Sequence, residues 1–326
     1  MNKIISSDTS LGYTFFISFL ALLYSLMLVF IIPIDAVMDR ANYLIYASDS
    51  ELIFARYFSI GFLSVFTNEP VWLIINVFLN RFFTAENVVF IVIFFSSFIS
   101  SYLVLKSNPK YFFFLLFILF MPQVVSKYIV HLRQGLAISI FLVGWSLKNT
   151  RWRFLLLLIT PFIHSSFFFV LFLYFFSEIS LKLKLDRDIR SILVVFLGLG
   201  LGLGLGYVAN LIGARQANEY DFSSANISGL GFIFWFGVFS LYWFQGRDFV
   251  RKHAFSISAL IFYLSTYFLI EVTGRIFESM IIFVLLASLD LTAWRRKAFI
   301  LALFLFVLLT WLPRINQPWL GWGGAV

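Results

Sequence analysis

Residues 111–145 read YFFFLLFILFMPQVVSKYIVHLRQGLAISIFLVGW: two long apolar runs with a small polar island, His131, Arg133 and Gln134, between them. A helix needs about 20 apolar residues to cross a bilayer, and runs of this kind recur almost end to end. The chain has 326 residues, 61% of them hydrophobic and only 12% charged, with 45 phenylalanines and a mean hydropathy of +0.95. A soluble domain of that length carries roughly a quarter charged residues. The reading is an all-α polytopic membrane protein forming one integral domain over residues 1–326. A β-barrel is disfavoured, because its strands alternate apolar and polar residues while these runs are continuous.

The expected spans lie near 11–32, 70–83, 87–105, 111–126, 130–147, 153–177, 190–212, 229–245, 254–271, 275–293 and 298–313, with a weaker amphipathic segment at 52–66. That gives about 10–12 membrane helices. Residues 11–32 show no small-residue cleavage site and read as an anchor, not a removable leader. Lys/Arg clusters at 106–110, 148–153, 182–190, 247–252 and 295–297 mark one face as cytoplasmic. The loops 33–57, 127–133, 213–228 and 271–275 and the C-terminus then face outward. The clusters at 148–153 and 182–190 are separated by one obvious span, and Pro161 interrupts it. A broken or re-entrant pair of half-helices there restores the parity, provided protein or a cavity shields it.

Composition also narrows the chemistry. There are no cysteines, which excludes disulfides, thiolate metal sites and cysteine nucleophiles. With three histidines and no HExxH, a zinc site finds little support and no metal is expected. The net charge of +8 is spread over short loops and follows the cytoplasmic bias, so no nucleic-acid partner is implied. The run GLGLGLGLG at 198–206 lacks dinucleotide-binding spacing. Its Gly198, Gly202 and Gly206 fall four apart and suit close helix packing.

Ionisable groups within membrane helices cost about 2.5–3.5 kcal/mol each on insertion scales, so each needs an explanation. Arg133 opens a helix with Ala137 on the same face, and reads either as an interfacial snorkelling arginine or as a site residue. Glu271, Arg275 and Glu278, in EVTGRIFES, are spaced to share one helical face. They form either a structural ion cluster or an anion-binding site with the guanidinium fork that phosphate favours. His164, in PFIHSS, is by default a hydrogen-bonded core histidine, but a neutral imidazole there also serves as a base. The loop 33–57 holds Asp35, Asp39, Asp49 and Glu51 as candidate bases, and Arg40 and Arg56 as anion contacts. Tyr43 and Tyr46 beside them suit a sugar-binding surface.

Taken in order, Asp39-Arg40-x-x-Tyr43, Glu69-Pro70, Arg133-Gln134-x-x-Ala137, His164-Ser165 and Arg275-x-x-Glu278 resemble the EpsG family, which includes Wzy-type polymerases of O-antigen, capsule and exopolysaccharide. The likeness covers roughly residues 35–290. It implies a glycosyltransferase of the bacterial inner membrane, working at the periplasmic face on undecaprenyl-diphosphate-linked oligosaccharides. It also implies a chain-length regulator and a flippase as partners beside membrane lipid, and no soluble cofactor. By that likeness Asp39, Arg133, His164 and Arg275 carry catalysis, while Tyr43, Gln134 and Glu278 contact the substrate; the charge of a diphosphate leaving group adds Arg40 or Arg215 as contacts near the headgroup. The fold is similar, more loosely, to lipid-dependent glycosyltransferases of the GT-C type. A departure is that no sizeable outer loop occurs late in the chain. Two other classes remain open: a membrane O-acyltransferase resting on His164, and a flippase whose path Arg133 and Arg275 line. No clear inverted repeat supports the latter.

Overall fold

The computed structural model of the chain describes residues 10–211, 229–269 and 272–323. It is all-helical, with no strand among the described residues. Two compact units share the chain: residues 10–165 with 309–323, and residues 166–308.

The first unit holds α1 (Leu11–Phe30), α2 (Arg40–Ile60), α3 (Phe62–Thr67), α4 (Pro70–Asn80), α5 (Ala85–Ser107), α6 (Phe112–Leu119), α7 (Pro122–Ile129), α8 (Leu132–Ser146) and α9 (Thr150–Ile159). Side chains fix many of the helix starts. Ser10, Thr84 and Asn149 each accept a backbone N–H from the first turn that follows, donors that a helix cannot satisfy internally. Pro70 and Pro122 occupy first helical positions, where the missing N–H is not needed. The central helix is α5, which packs against α1 on one side and α8 on another. Its Ser96, Ser97, Ser100 and Ser101 are fully buried. Ser96 and Ser97 hand their hydroxyls back to Val92 and Ile93 carbonyls, each at 2.6 Å. Small, self-satisfied side chains of this kind let apolar helices approach closely.

The second unit holds α10 (Phe167–Lys182), α11 (Arg187–Leu211), α12 (Leu230–Trp243), α13 (Arg247–Lys252), α14 (Ala254–Thr266), α15 (Thr273–Glu278), α16 (Ile281–Ala287) and α17 (Ala293–Trp311), whose last turn counts with the first unit. Here α14 is the core helix, touched by α10, α11, α12 and α16. The glycine run lies in α11, and its packing role is visible. A Cβ on Gly198 would overlap the Ser265 hydroxyl, and one on Gly202 would come within 3.1 Å of Leu269, whereas Gly200 and Gly204 have open space. Alternate glycines therefore face α14 and its C-terminal extension.

Among the described residues, three helices are long and apolar enough to cross a membrane: Leu11–Phe30, Ala85–Ser107 and Ala293–Arg314. A fourth candidate is the pair Pro109–Leu119 and Pro122–Ile129, bent by 67°. Other apolar runs are cut into shorter helices, so the 10–12 expected spans are not uninterrupted helices among the described residues. Breaks at Gly61, Met121 and Met280 account for much of this. The break expected at Pro161 is present: α9 ends at Ile159, a 3-10 turn covers Thr160–Phe162, and α10 starts at Phe167. The stretch 33–57, expected as a loop, is mostly helix. After a short turn at Ile34–Ala36 it becomes α2, and the amphipathic segment 52–66 supplies the end of α2 and α3. The polar residues at 35–51 had masked a helix that keeps Arg40, Tyr43, Ala47 and Ser50 on its buried side. Residues 213–228 lie outside the described residues.

Candidate functional site

Glu69 is the residue around which the first unit's polar chemistry gathers. It sits at the N-cap of α4 in the left-handed region, φ 58°, and is 4% exposed. A carboxylate so deeply buried must be paired. Its Oε2 accepts Arg133 Nη1–H at 2.5 Å. Its Oε1 accepts His164 Nδ1–H at 2.9 Å and the Ser165 backbone N–H at 3.0 Å. Burial alone would push the Glu69 carboxyl up, but Arg133, His164 and the Ser165 N–H together hold it below the usual carboxylate range. One carboxylate thus ties the start of α4 to the first turn of α8 and to the break after Pro161.

Local structure explains how the partners arrive there. His131 is the N-cap of α8, so Arg133 and Gln134 fall in its first turn. Gly135 is needed because α8 starts against the end of α7: a Cβ there would overlap the Lys127 carbonyl oxygen. Arg133 then reaches Glu69, while the Lys127 ammonium donates to Gln134 Oε1 at 3.2 Å. Lys127 and Gln134 are 1% and 2% exposed. His164 stands where the Pro161 break frees the backbone, and Ser165 turns its N–H toward the same carboxylate. With Nδ1–H directed at Glu69, the imidazole keeps Nε2 as its basic nitrogen.

Aromatic rings flank the pair. The Arg133 guanidinium lies 5.2 Å from the Tyr46 ring centroid and 6.0 Å from that of Tyr43, both within cation–π range. The two tyrosines stand edge-on to Trp72, at 6.0 and 6.3 Å. Tyr43 is 6% exposed, so it serves as a wall behind Arg133 and not as an open sugar platform. Arg40 Nη2–H donates to the Ile129 carbonyl at 3.0 Å. Its Nε and Nη1, the Arg133 Nε and the Trp72 Nε1 are buried donors without hydrogen-bond partners. Buried donors in this state are unfavourable alone and favour a ligand rich in acceptors.

The other sequence candidates are distributed differently. Asp39 is the exposed N-cap of α2, φ 62°, and its side chain does not cap that helix. It lies one turn before Tyr43, yet the structure places it in no bond with Glu69, Arg133 or His164. Arg275 and Glu278 lie three apart on α15, in the second unit, with Arg275 exposed. Glu271 and Arg215 fall outside the described residues. Two residues escaped the sequence reading as site members. Glu69 entered it as part of an ordered motif, and Lys127 was placed in a short outer loop that is in fact α7. The available signal for Glu69 was a lone carboxylate directly before a helix-starting proline in a nearly uncharged stretch.

No curated protein and no solved structure matches the chain. The model of the EpsG family matches residues 19–317. That span takes in α1 from residue 19 onward, all of the buried cluster around Glu69, and the second unit. With nearly its whole length matched, the chain belongs to the EpsG family and is a membrane protein of polysaccharide biosynthesis.

Proposed function

We propose that the protein is a polysaccharide polymerase, joining undecaprenyl-diphosphate-linked oligosaccharide repeat units at the periplasmic face of the bacterial inner membrane. The observation that carries this is Glu69 holding Arg133 and His164 on its two oxygens, inside a membrane protein of this family. A base and a cation fixed side by side match the two needs of glycosyl transfer.

In the reaction, the bond between the sugar's anomeric carbon and the diphosphate oxygen breaks, and a bond to the acceptor hydroxyl forms. The hydroxyl proton goes to His164 Nε2, with Glu69 orienting the ring and stabilising the cation that results. Lipid diphosphate leaves with the bonding electrons, and its growing charge is met by Arg133, with Arg40 as second donor. Asp39 remains a candidate base at the mouth of α2, and Arg275 a candidate second cation. Gln134 supports the cluster through Lys127.

The test is a polysaccharide ladder on a gel from cells lacking their own copy of the gene, complemented with this chain or with Arg133→Ala. A ladder restored by the intact chain alone, with single capped units accumulating in the knockout, supports the polymerase. Long chains in the knockout that lack an acyl decoration would replace it with an O-acyltransferase. Loss of every surface unit, capped or not, would replace it with a flippase.

A further inference from the structure

The stretch that follows the last long helix returns to the start of α2, and no catalytic assignment uses it. Val37 and Gly323 form an isolated antiparallel bridge. Met38 N–H donates to the Trp322 carbonyl at 2.8 Å. Trp322 is 4% exposed, stands edge-on to Trp311 at 5.4 Å, and lies 5.9 Å from the Arg314 guanidinium. Trp311 in turn donates its indole N–H to the Phe120 carbonyl at 3.2 Å. The segment is thus pinned at one end to the close of α6 and at the other to residues 37–38.

Its backbone is unusual in the same place. Trp319 (φ 50°), Leu320 (φ 58°) and Gly321 (φ 75°) are three successive left-handed residues. Asp39, directly after Met38, is another at φ 62°. Non-glycine residues hold that region only where their surroundings over-determine it, and such positions concentrate around functional sites. Asp39 turns the chain into α2, whose first turn carries Arg40 and Tyr43. Tyr43 backs Arg133, and Arg133 is held by Glu69.

We infer that residues 318–323 form a strap that positions the first turn of α2, with Trp322 as a positioning residue for the Tyr43–Arg133–Glu69 arrangement. The contact is made where the chain enters α2, so a shift at Met38 is carried along a rigid helix to Tyr43. A strap serving packing alone would hold any part of α2 equally well. This one grips the residue before Asp39.

The inference rests on the polymerase reading for its activity assay, and the test separates the two. Met38→Pro removes the N–H bonded to Trp322, at the second position of the turn that Arg40 N–H closes on the Val37 carbonyl, a position that favours proline. Met38 is a half-exposed side chain, and Val37, at φ −84° and ψ 134°, already has the backbone that precedes a proline. Met38→Ala keeps the N–H and is the control. Purified variants would be assayed for turnover of a lipid-diphosphate-linked oligosaccharide, beside thermal melting in detergent. Met38→Pro should lose about tenfold or more in turnover at an unchanged melting temperature, with Met38→Ala within about twofold of the parent. Trp322→Ala should fall similarly and Trp322→Phe, which keeps a ring against Trp311, should recover most of it. Equal turnover in Met38→Pro and Met38→Ala, with Arg133→Ala inactive, would overturn the strap and leave the polymerase standing. Full turnover in Arg133→Ala would overturn the site and the strap with it. Loss of turnover only in step with a lowered melting temperature would also overturn it, leaving a packing role.

Discussion

His164 Nδ1 lies 2.9 Å from Oε1 of Glu69, a residue 95 positions earlier in the chain. The other oxygen of that carboxylate is taken by Arg133, 64 positions after it. Replacing Glu69 by Gln keeps the shape and removes the charge. A buried cation left without its partner costs about 3–5 kcal/mol. Loss of an orienting carboxylate lowers turnover by roughly 10²–10⁴-fold. Glu69→Gln should therefore melt earlier in detergent and give no ladder. An unchanged melting temperature would show that the pair contributes nothing to stability.

Arg133→Lys keeps a positive charge and loses the planar fork that meets carboxylate and phosphate on two bonds. We expect it to lose about 10²–10³-fold in polymer formation, with Arg133→Ala and Arg275→Ala giving none, all still found in the membrane fraction. Normal polymer from Arg275→Ala would confine the chemistry to the first unit. Quantified ladders beside an immunoblot of membranes decide this.

Asp39→Asn should be more damaging than Asp35→Asn. Asparagine accepts the left-handed backbone at position 39, so the first exchange removes charge without disturbing the turn. Asp35, exposed in the preceding 3-10 turn, should tolerate it. We expect a loss on the order of tenfold or more against less than twofold. Equal ladders from the two variants would take Asp39 out of the reaction.

Gly135→Ala should disable the protein and Gly200→Ala should not. The first adds a methyl into the backbone carbonyl of Lys127, and such overpacking costs about 1–3 kcal/mol or displaces a helix. The displaced helix would carry Arg133 away from Glu69. The second adds its methyl to open space and replaces a poor helix former, for a gain of about 0.5–1 kcal/mol. Melting temperatures in detergent should move in opposite directions.

Much of the helical architecture was legible because it depends on local pattern. The long apolar runs, the packing face at Gly198 and Gly202, and the break at Pro161 are all properties of neighbouring residues. What local pattern misled was the helix Arg40–Ile60. Its carboxylates and arginines read as a solvated loop, although the buried side is set by only a few residues spaced along it. The site divided along the same line. Arg133 and His164 were conspicuous as polar groups in apolar surroundings. That one carboxylate joins them is a statement about three segments far apart in the chain, which no periodicity encodes. Lys127 was misplaced for a related reason: its burial is created by α8 folding back against α7.

The sequence separations at Glu69 also set a clock for biogenesis. Chains grow at roughly 5–20 residues per second, so 64 residues correspond to about 3–13 s between the synthesis of Glu69 and that of Arg133. During that interval a carboxylate at the head of an eleven-residue apolar helix has neither its cation, Arg133, nor its second donor, His164. The α4 segment must therefore wait at the aqueous edge of the bilayer, or in the insertion machinery, until α8 emerges. Its final placement is a late event of assembly, triggered by the arrival of positive charge.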